Sequence, residues 1–388
     1  MAGWTLVKVA MLTDCYPPRL GGIESQVRDL SRHLVRAGHE VEVFTATTGP
    51  DGERGGATAT GDDGVTVHRF AIPLPGGIPV NPFARPEIRR RLAAGRFDVA
   101  HAHLGVVSPF ATELVPLALD RGLPVTATFH CVIDRSGPVF RVLGHLARWA
   151  EKGVAMNAVS TMAATRVSAA AGDAPVEVVP NGVDVAWWRD GAPDGDAAPA
   201  ADGAPRPVHV VTATRLAARK RPVALLAVLR GARQILDPAV PLRATIVGEG
   251  PQRRVLERYV ASRGLDWVEL PGRVDRDELR RLHQGADVYL TTARLEAFGI
   301  AALEARAAGL PVVAPRATGV DDFVGDGVEG VLGDSDVQLA GAVARLAADP
   351  AMRRRIRHHN LTTPPAQDWS DVLGATLGEY HRAGARPA

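Results

Sequence analysis

Short apolar runs alternate with helical stretches along this chain, break at one long polar segment, and then start again. That restart constrains the fold more than any single motif. The first pass opens with the run Leu6 to Leu12, which ends in Thr13-Asp14 and leads into a loop carrying Pro17, Pro18, Gly21 and Gly22. Ile23, Val27, Leu30, Leu34 and Ala37 then recur at helical spacing up to Gly38, and Val41 to Thr45 is apolar again. This order predicts a βαβ unit. Further strand-like runs are Phe97–His101, Pro124–Phe129, Ala155–Ser160 and Val176–Val179. Residues 189–207, RDGAPDGDAAPAADGAPRP, carry no apolar periodicity and read as a linker.

Beyond the linker, strands are predicted at Val208–Ala213, Ala244–Val247, Val268–Leu270, Val288–Thr291 and Val312–Ala314. Helices are predicted at Pro222–Arg233, Gln252–Ser262, Asp275–Gln284 and near Ile300–Ala308. The expected fold class is α/β, with two doubly wound domains: 1–188, the linker 189–207, and 208–368. A last helical stretch follows the break Thr-Thr-Pro-Pro, near Trp369–Arg382. Ligands of such sheets bind outside the carboxyl ends of the strands, so the cleft between two such domains is the expected active site.

Charge excludes one class of partner. Lys and Arg total 45 against 43 Asp and Glu, a net of +2, so there is no basic excess of the kind nucleic acid attracts. The two cysteines, Cys15 and Cys131, form neither a disulfide framework nor a Cys-based zinc site, which suits a reducing cytoplasm. No apolar run reaches the length of a membrane span, and the start of the chain does not read as a signal peptide.

Several residues carry candidate chemistry. Gly21-Gly22 opens the first helix, where backbone can approach a phosphate closely; a plain turn is the commoner explanation of such a pair, and the spacing is not GxGxxG. Arg215 and Lys220 follow the first strand of the second half, placed to hold a diphosphate; a solvated basic loop shared with Arg219 and Arg221 is the alternative. Lys220 stands out because the only other lysines are Lys8 and Lys152, which suggests that a compact point charge is needed there. Glu296 and Glu304, with seven residues between them, offer carboxylates to sugar or ribose hydroxyls, with Phe298 and Gly299 contributing amides at a helix start; a surface pair is the alternative. Gly248 lies in a tight turn, Gly-Glu-Gly-Pro, at the same edge. His101, His103 and His130 lack an HxxxH helix or a carboxylate cluster, so no metal is expected, and His130 at a strand end is the better candidate for a hydrogen bond to substrate.

The order of these motifs resembles the retaining glycosyltransferases of family 4, which have the GT-B fold of two facing Rossmann-like domains. The matching segments include PPRLGGIESQVRDLSRHLVRAGHEVEVFT, DVAHAHLG, TFHC, VVPNGVD, TRLAARK, IVGEGP, LPGRV and EAFGIAALEARAAGLPVVA, spread from residue 17 to residue 314. The resemblance implies a nucleotide-sugar donor held mainly by the C-terminal domain. Arg215 and Lys220 would bind its diphosphate and Glu304 its ribose. Glu296 and the backbone at Phe298, Gly299 and Ile300 would hold the sugar, with Gly248 nearby and Arg273 and Val274 beside the base. Gly21 and Gly22 would close on the diphosphate from the other domain, and His130 would touch the transferring sugar. The helix within 369–388 would cross back to the first domain. One departure is Thr214, where the family commonly has glycine.

No covalent nucleophile is evident, so the resemblance implies metal-independent, front-face transfer with retention and no bound cofactor. The Glu-x7-Glu element favours a transferase over a sugar-nucleotide epimerase of the same fold or an inactive nucleotide-sugar-binding subunit. The acceptor hydroxyl belongs either to a lipid or to a small soluble molecule such as a cyclitol. Arg85, Arg89, Arg90 and Arg91 suggest a peripheral contact with an anionic membrane, a solvated helix face being the alternative.

Overall fold

The computed structural model describes residues 6–19, 21–61, 63–72, 80–134, 144–193 and 206–386. The chain forms two compact units, Met1–Gly182 with Trp369–Ala388, and Val183–Asp368.

In the first unit the strands are β1 (Lys8–Thr13), β2 (Glu40–Thr45), β3 (Ala57–Thr60), β4 (Thr66–Arg69), β5 (Val99–Leu104), β6 (Val125–Phe129), β7 (Ala155–Ala158) and β8 (Glu177–Val178). They form one sheet in the order β3-β4-β2-β1-β5-β6-β7-β8, parallel except for the antiparallel edge pair β3–β4. Helices α1 (Gly22–Arg36), α2 (Arg85–Ala94), α3 (Pro109–Leu119), α4 (His145–Glu151) and α5 (Thr161–Ala170) connect them. A parallel strand is covered on both faces, so its side chains divide by period two. In β1, Ala10 and Leu12 join a core with Phe110 and Leu114 of α3, whereas Val9 and Met11 join one with Val27 and Leu34 of α1.

The second unit has β9 (Val208–Ala213), β10 (Leu242–Val247), β11 (Val268–Gly272), β12 (Val288–Leu290), β13 (Val312–Pro315) and β14 (Gly330–Gly333). Their order is β11-β10-β9-β12-β13-β14, all parallel. Its helices are α6 (Val185–Arg189), α7 (Pro222–Ile235), α8 (Arg253–Ser262), α9 (Arg276–Gln284), α10 (Ile300–Ala307), α11 (Asp336–Ala348) and α12 (Pro350–Thr362). Strand order reverses at β9/β12, so the loops after those two strands flank the topological switch point, where such sheets take ligands.

The boundary between units differs from the sequence expectation. The chain passes from the first to the second at Gly182–Val183 rather than at residue 188, and α6 belongs to the second unit. The reason is packing: Trp188 of α6 is fully buried, with its ring 5.3 Å from that of His283. Arg280 holds the carboxylate of Asp190 at 2.9 Å. Residues 189–193 and 206–207 thus both belong to the second unit, and 194–205 lie outside the described residues.

The last helix, α13 (Trp369–Arg382), packs on the first unit. Its Trp369, Val372, Leu377 and Tyr380 share a core with Val27, Leu30 and Met11. Trp369 stacks on His33 with ring centres 4.8 Å apart. Gly182 has to be glycine, because a Cβ there would lie 2.6 Å from the Trp369 indole. The Gln26 side chain closes the corner by donating to the Gly182 carbonyl at 2.9 Å and accepting from its N–H at 2.9 Å.

Candidate functional site

The second unit assembles most of the candidate residues at the carboxyl edge of its sheet. After β9 the chain makes a 3₁₀ turn, Ala218–Lys220, and Arg221 adopts a left-handed conformation (φ 55°) before Pro222 starts α7. Arg221 ties this loop to the one after β12: its guanidinium donates to the Thr292 carbonyl at 3.0 Å, and the Thr292 hydroxyl donates back to the Arg221 carbonyl at 3.2 Å. The same guanidinium grips both oxygens of Asp336 at 3.0 and 2.8 Å. Arg221 is therefore a structural clamp, and the basic run divides into this clamp and its neighbours.

Held by that clamp, Lys220 forms an ion pair with Glu296 from the β12 side. Arg215 is exposed and has no ion-pair or hydrogen-bond partner for its side chain among the described residues. Glu296 and Glu304 both lie close enough to the buried Tyr289 phenol to raise its pKa, second to burial itself. The structure thus brings Lys220, Glu296 and Glu304 to one side of the switch point.

Gly248 has a backbone reason of its own. With φ +135°, it lies where a Cβ would be 1.9 Å from the Thr214 carbonyl oxygen. Backbone bonds from Thr214 N–H to Val247 O (3.0 Å) and from Gly248 N–H to Gly272 O (2.7 Å) stitch the three strand ends together. Arg273, next along, is exposed, and Val274 is half-buried. Phe298 packs its ring against Phe323 at 5.3 Å and is 2% exposed, so only its backbone faces outward chemistry. Gly299 is the N-cap of α10 at φ 96°, and Ile300 is its first residue, where N–H groups lack intrahelical partners.

Gly21, Gly22 and His130 belong to the first unit. Gly21 is the N-cap of α1 with extended backbone (φ 174°), and Gly22 is the first helical residue. Glu24 of the same turn pairs with Arg19 at 3.3 Å. Asp14, at the end of β1, accepts from the N–H groups of Phe110 and Ala111 at 2.9 and 3.3 Å, so it caps α3. Burial raises its pKa to about 6 against these bonds.

His130 ends a buried polar ladder that runs across the sheet to α13. The Thr128 hydroxyl donates to Asn157 Oδ1 at 2.6 Å, so it accepts from His101 Nε2 at 2.7 Å, leaving His101 Nδ1 to accept from the Tyr380 hydroxyl at 3.0 Å. Asn157 in turn donates to Glu379 at 3.2 Å. His103 stacks on His101 with ring centres 4.0 Å apart. Its Nε2 lies 3.4 Å from the Met11 sulfur, which has no proton to give, so His103 Nε2 carries the hydrogen. His103 Nδ1 is then the acceptor for His130 Nε2–H at 2.9 Å. Asn181 hydrogen-bonds the same His130 ring, whose pKa burial lowers to about 4. Sequence reasoning did not single out Asn181, although it lies within the quoted VVPNGVD.

The ladder has a consequence for stability. Burial pushes His101 down to about 3, His130 to about 4, and His103 well below its ordinary value. Unfolded, each titrates near 6.5. Below that pH the unfolded chain binds more protons, and stability falls at up to about 1.4 kcal/mol per pH unit for each histidine. Asp14 acts oppositely, adding stability as pH drops from about 6 toward its unfolded value. Three histidines outweigh one carboxyl, so the melting temperature falls steadily from pH 6.5 to pH 4.5. A flat profile across that window, in thermal melts at constant ionic strength, contradicts the buried neutral ladder.

Comparison with known proteins follows the same division. A family model described as Glycosyltransferase Family 4 matches residues 20–187, and one described as Glycosyl transferases group 1 matches residues 202–360. The chain is 32% identical to the D-inositol 3-phosphate glycosyltransferase of Pseudarthrobacter chlorophenolicus, over 94% of this chain and 90% of that protein. It is 31% identical to the phosphatidyl-myo-inositol mannosyltransferase of Mycolicibacterium smegmatis, over 93% and 90%. Among solved structures, Anabaena HepE in complex with UDP and glucose superposes with a TM-score of 0.72 at 19% identity, covering 96% of this chain and 98% of that one. The two parallel-sheet, Rossmann-like units are those of the GT-B fold, and the chain belongs to the family 4, group 1 glycosyltransferases.

Proposed function

We propose that this glycosyltransferase moves a hexose from a UDP- or GDP-sugar to a hydroxyl of an inositol-type acceptor, with retention and without a metal. The observation that carries the donor half is the gathering of Lys220, Glu296 and Glu304 beside the unpaired Arg215 at the sheet's switch point. Breaking a glycosyl–phosphate bond puts charge on the diphosphate. Arg215 and Lys220 are the cations that would meet such charge, which a divalent ion would otherwise neutralise. Glu304 and the backbone of Phe298, Gly299 and Ile300 offer partners for ribose and sugar, with Arg273 and Val274 toward the base and Gly248 shaping the edge. Gly21, Gly22 and His130, which belong to the first unit, remain proposed donor contacts in this reading. With no covalent nucleophile assigned, the acceptor attacks on the face the diphosphate leaves, and a phosphate oxygen takes its proton.

The acceptor half rests on relatives that act on D-inositol 3-phosphate and on phosphatidyl-myo-inositol. These share an inositol ring bearing a phosphodiester or phosphomonoester. One observation bears on the lipid form: Phe83 is 82% exposed just before α2, beside the exposed Arg85 and Arg89. The arginine cluster is smaller than its spacing suggests, because Arg91 bonds Glu87 at 2.8 Å and the Gly56 carbonyl at 2.8 Å, and Arg90 pairs with Glu87. No helix among the described residues is long and apolar enough to cross a membrane. A chain with only two cysteines suits a reducing cytoplasm.

Thermal melts against UDP- and GDP-sugars, with and without EDTA, test the donor. One nucleotide-sugar raises the melting temperature equally in EDTA, and Arg215→Ala abolishes the shift. Transfer from that donor is then assayed on D-inositol 3-phosphate and on phosphatidylinositol vesicles. No shift with any nucleotide from a folded sample rejects the donor reading, and a shift lost in EDTA rejects metal independence.

A further inference from the structure

We propose that the Lys220–Glu296 ion pair occupies the place of the donor's diphosphate, and that a nucleotide-sugar enters by exchanging partners within it. The proposal rests on the donor reading above and concerns how the same residues tell donor from spent nucleotide.

The two cations of the site are not in the same state. Arg215 is exposed and unpaired, whereas Lys220 is already neutralised by Glu296. Their pair is partly withdrawn from water, with side chains 19% and 16% exposed. An arriving diphosphate therefore meets Arg215 as a free charge and must compete with a carboxylate for Lys220. If it wins, Glu296 loses its ion-pair partner in a site partly withdrawn from water. The carboxylate needs hydrogen-bond donors to remain there. The hydroxyls of a donor sugar provide them; a bare nucleoside diphosphate does not.

This makes Glu296 a specificity-determining residue of a particular kind. It opposes the nucleoside diphosphate and accepts the nucleotide-sugar, although both present the same phosphates to Lys220. After transfer the hydroxyl partners leave with the sugar, and Glu296 re-pairs with Lys220 as the spent nucleotide departs. The clamp that enforces the geometry is Arg221, bonded to Thr292 and Asp336, which keeps the two loops in register.

The test is calorimetric titration of the wild type, Glu296→Gln, Lys220→Met and the double variant. Each is titrated with UDP or GDP, whichever the wild type binds, and with its hexose conjugate. Glu296→Gln is expected to bind the bare nucleotide about three- to tenfold more tightly than wild type. It binds the nucleotide-sugar more weakly. In the Lys220→Met background the same substitution changes bare-nucleotide affinity by less than about twofold, because the competition it removes is already gone. Glu296→Gln binding the bare nucleotide no tighter than wild type overturns the proposal. So does equal tightening in the Lys220→Met background, which would mean general repulsion rather than exchange. Glu296→Ala repeats the test should the glutamine variant melt early. A wild type that binds neither ligand defeats the donor reading instead, whatever the variants do.

Discussion

Lys220→Ala is expected to lower kcat/KM by about 10²–10³-fold, or roughly 3–4 kcal/mol of transition-state stabilisation. The ammonium is placed by a 3₁₀ turn whose following residue, Arg221, is locked to Thr292 and Asp336. Arg215→Ala loses a similar factor through the same charge. The pair of variants separates chemistry from fold, because the Arg215 side chain has no partner among the described residues whose loss could disturb the loop, whereas Lys220 has Glu296. Lys220→Arg recovers charge but brings a planar fork where a compact ammonium sits, so it restores only part of the rate. Initial rates with a saturating acceptor and varied donor decide the matter. Lys220→Ala within threefold of wild type would remove the diphosphate clamp from the mechanism.

Much of this site can be read from the chain because its parts follow strands. β9 runs Val208–Ala213 as its apolar run predicts, and Asp275 caps α9 by accepting from the Glu278 N–H at 2.7 Å. Once the strands are placed, the doubly wound order brings the loops carrying Lys220 and Glu296 to the same switch point. What escapes the sequence is what long-range packing decides. The hairpin β3–β4 has short polar strands, Ala57–Thr60 and Thr66–Arg69, with too little apolar alternation to mark it. β14, Gly330–Gly333, is bounded by glycines and too short to show a period. The unit boundary moved because Trp188 found His283, a contact between residues far apart in the chain. Arg91 and Arg221 look like members of basic runs, yet each is consumed by carbonyls and carboxylates that only the folded chain supplies. Glu379 likewise becomes a polar-network member only when α13 returns to the first unit, and Asn181 only when the fold brings it to His130.

Gly319→Ala should be a strongly damaging single-methyl change beside Glu296, although nothing in its sequence context marks it. A Cβ at Gly319 would stand 2.1 Å from the Ala297 carbonyl oxygen, 2.5 Å from its carbon and 2.6 Å from the Phe298 Cα. All three are backbone atoms, so no rotamer change relieves the clash. The loop cannot retreat as a whole, because Phe298 is anchored on Phe323 and Gly299 begins α10. The Gly319 N–H also donates to the Glu296 carbonyl at 2.9 Å, so the displacement falls on the residue that meets Lys220. Overpacking costs about 1–3 kcal/mol and the lost hydrogen bond about 1 more. That corresponds to a melting temperature lower by roughly 5–10 °C for a unit of this size. A shift of about 1 Å in Glu296 lowers kcat/KM by about 100-fold in addition. Gly341→Ala, inside α11 with nothing within 4 Å of its Cβ, is the matched control: the same added methyl raises the melting temperature slightly by favouring helix. Equal behaviour of the two variants would mean that the Ala297–Gly319 contact does not set the position of Glu296.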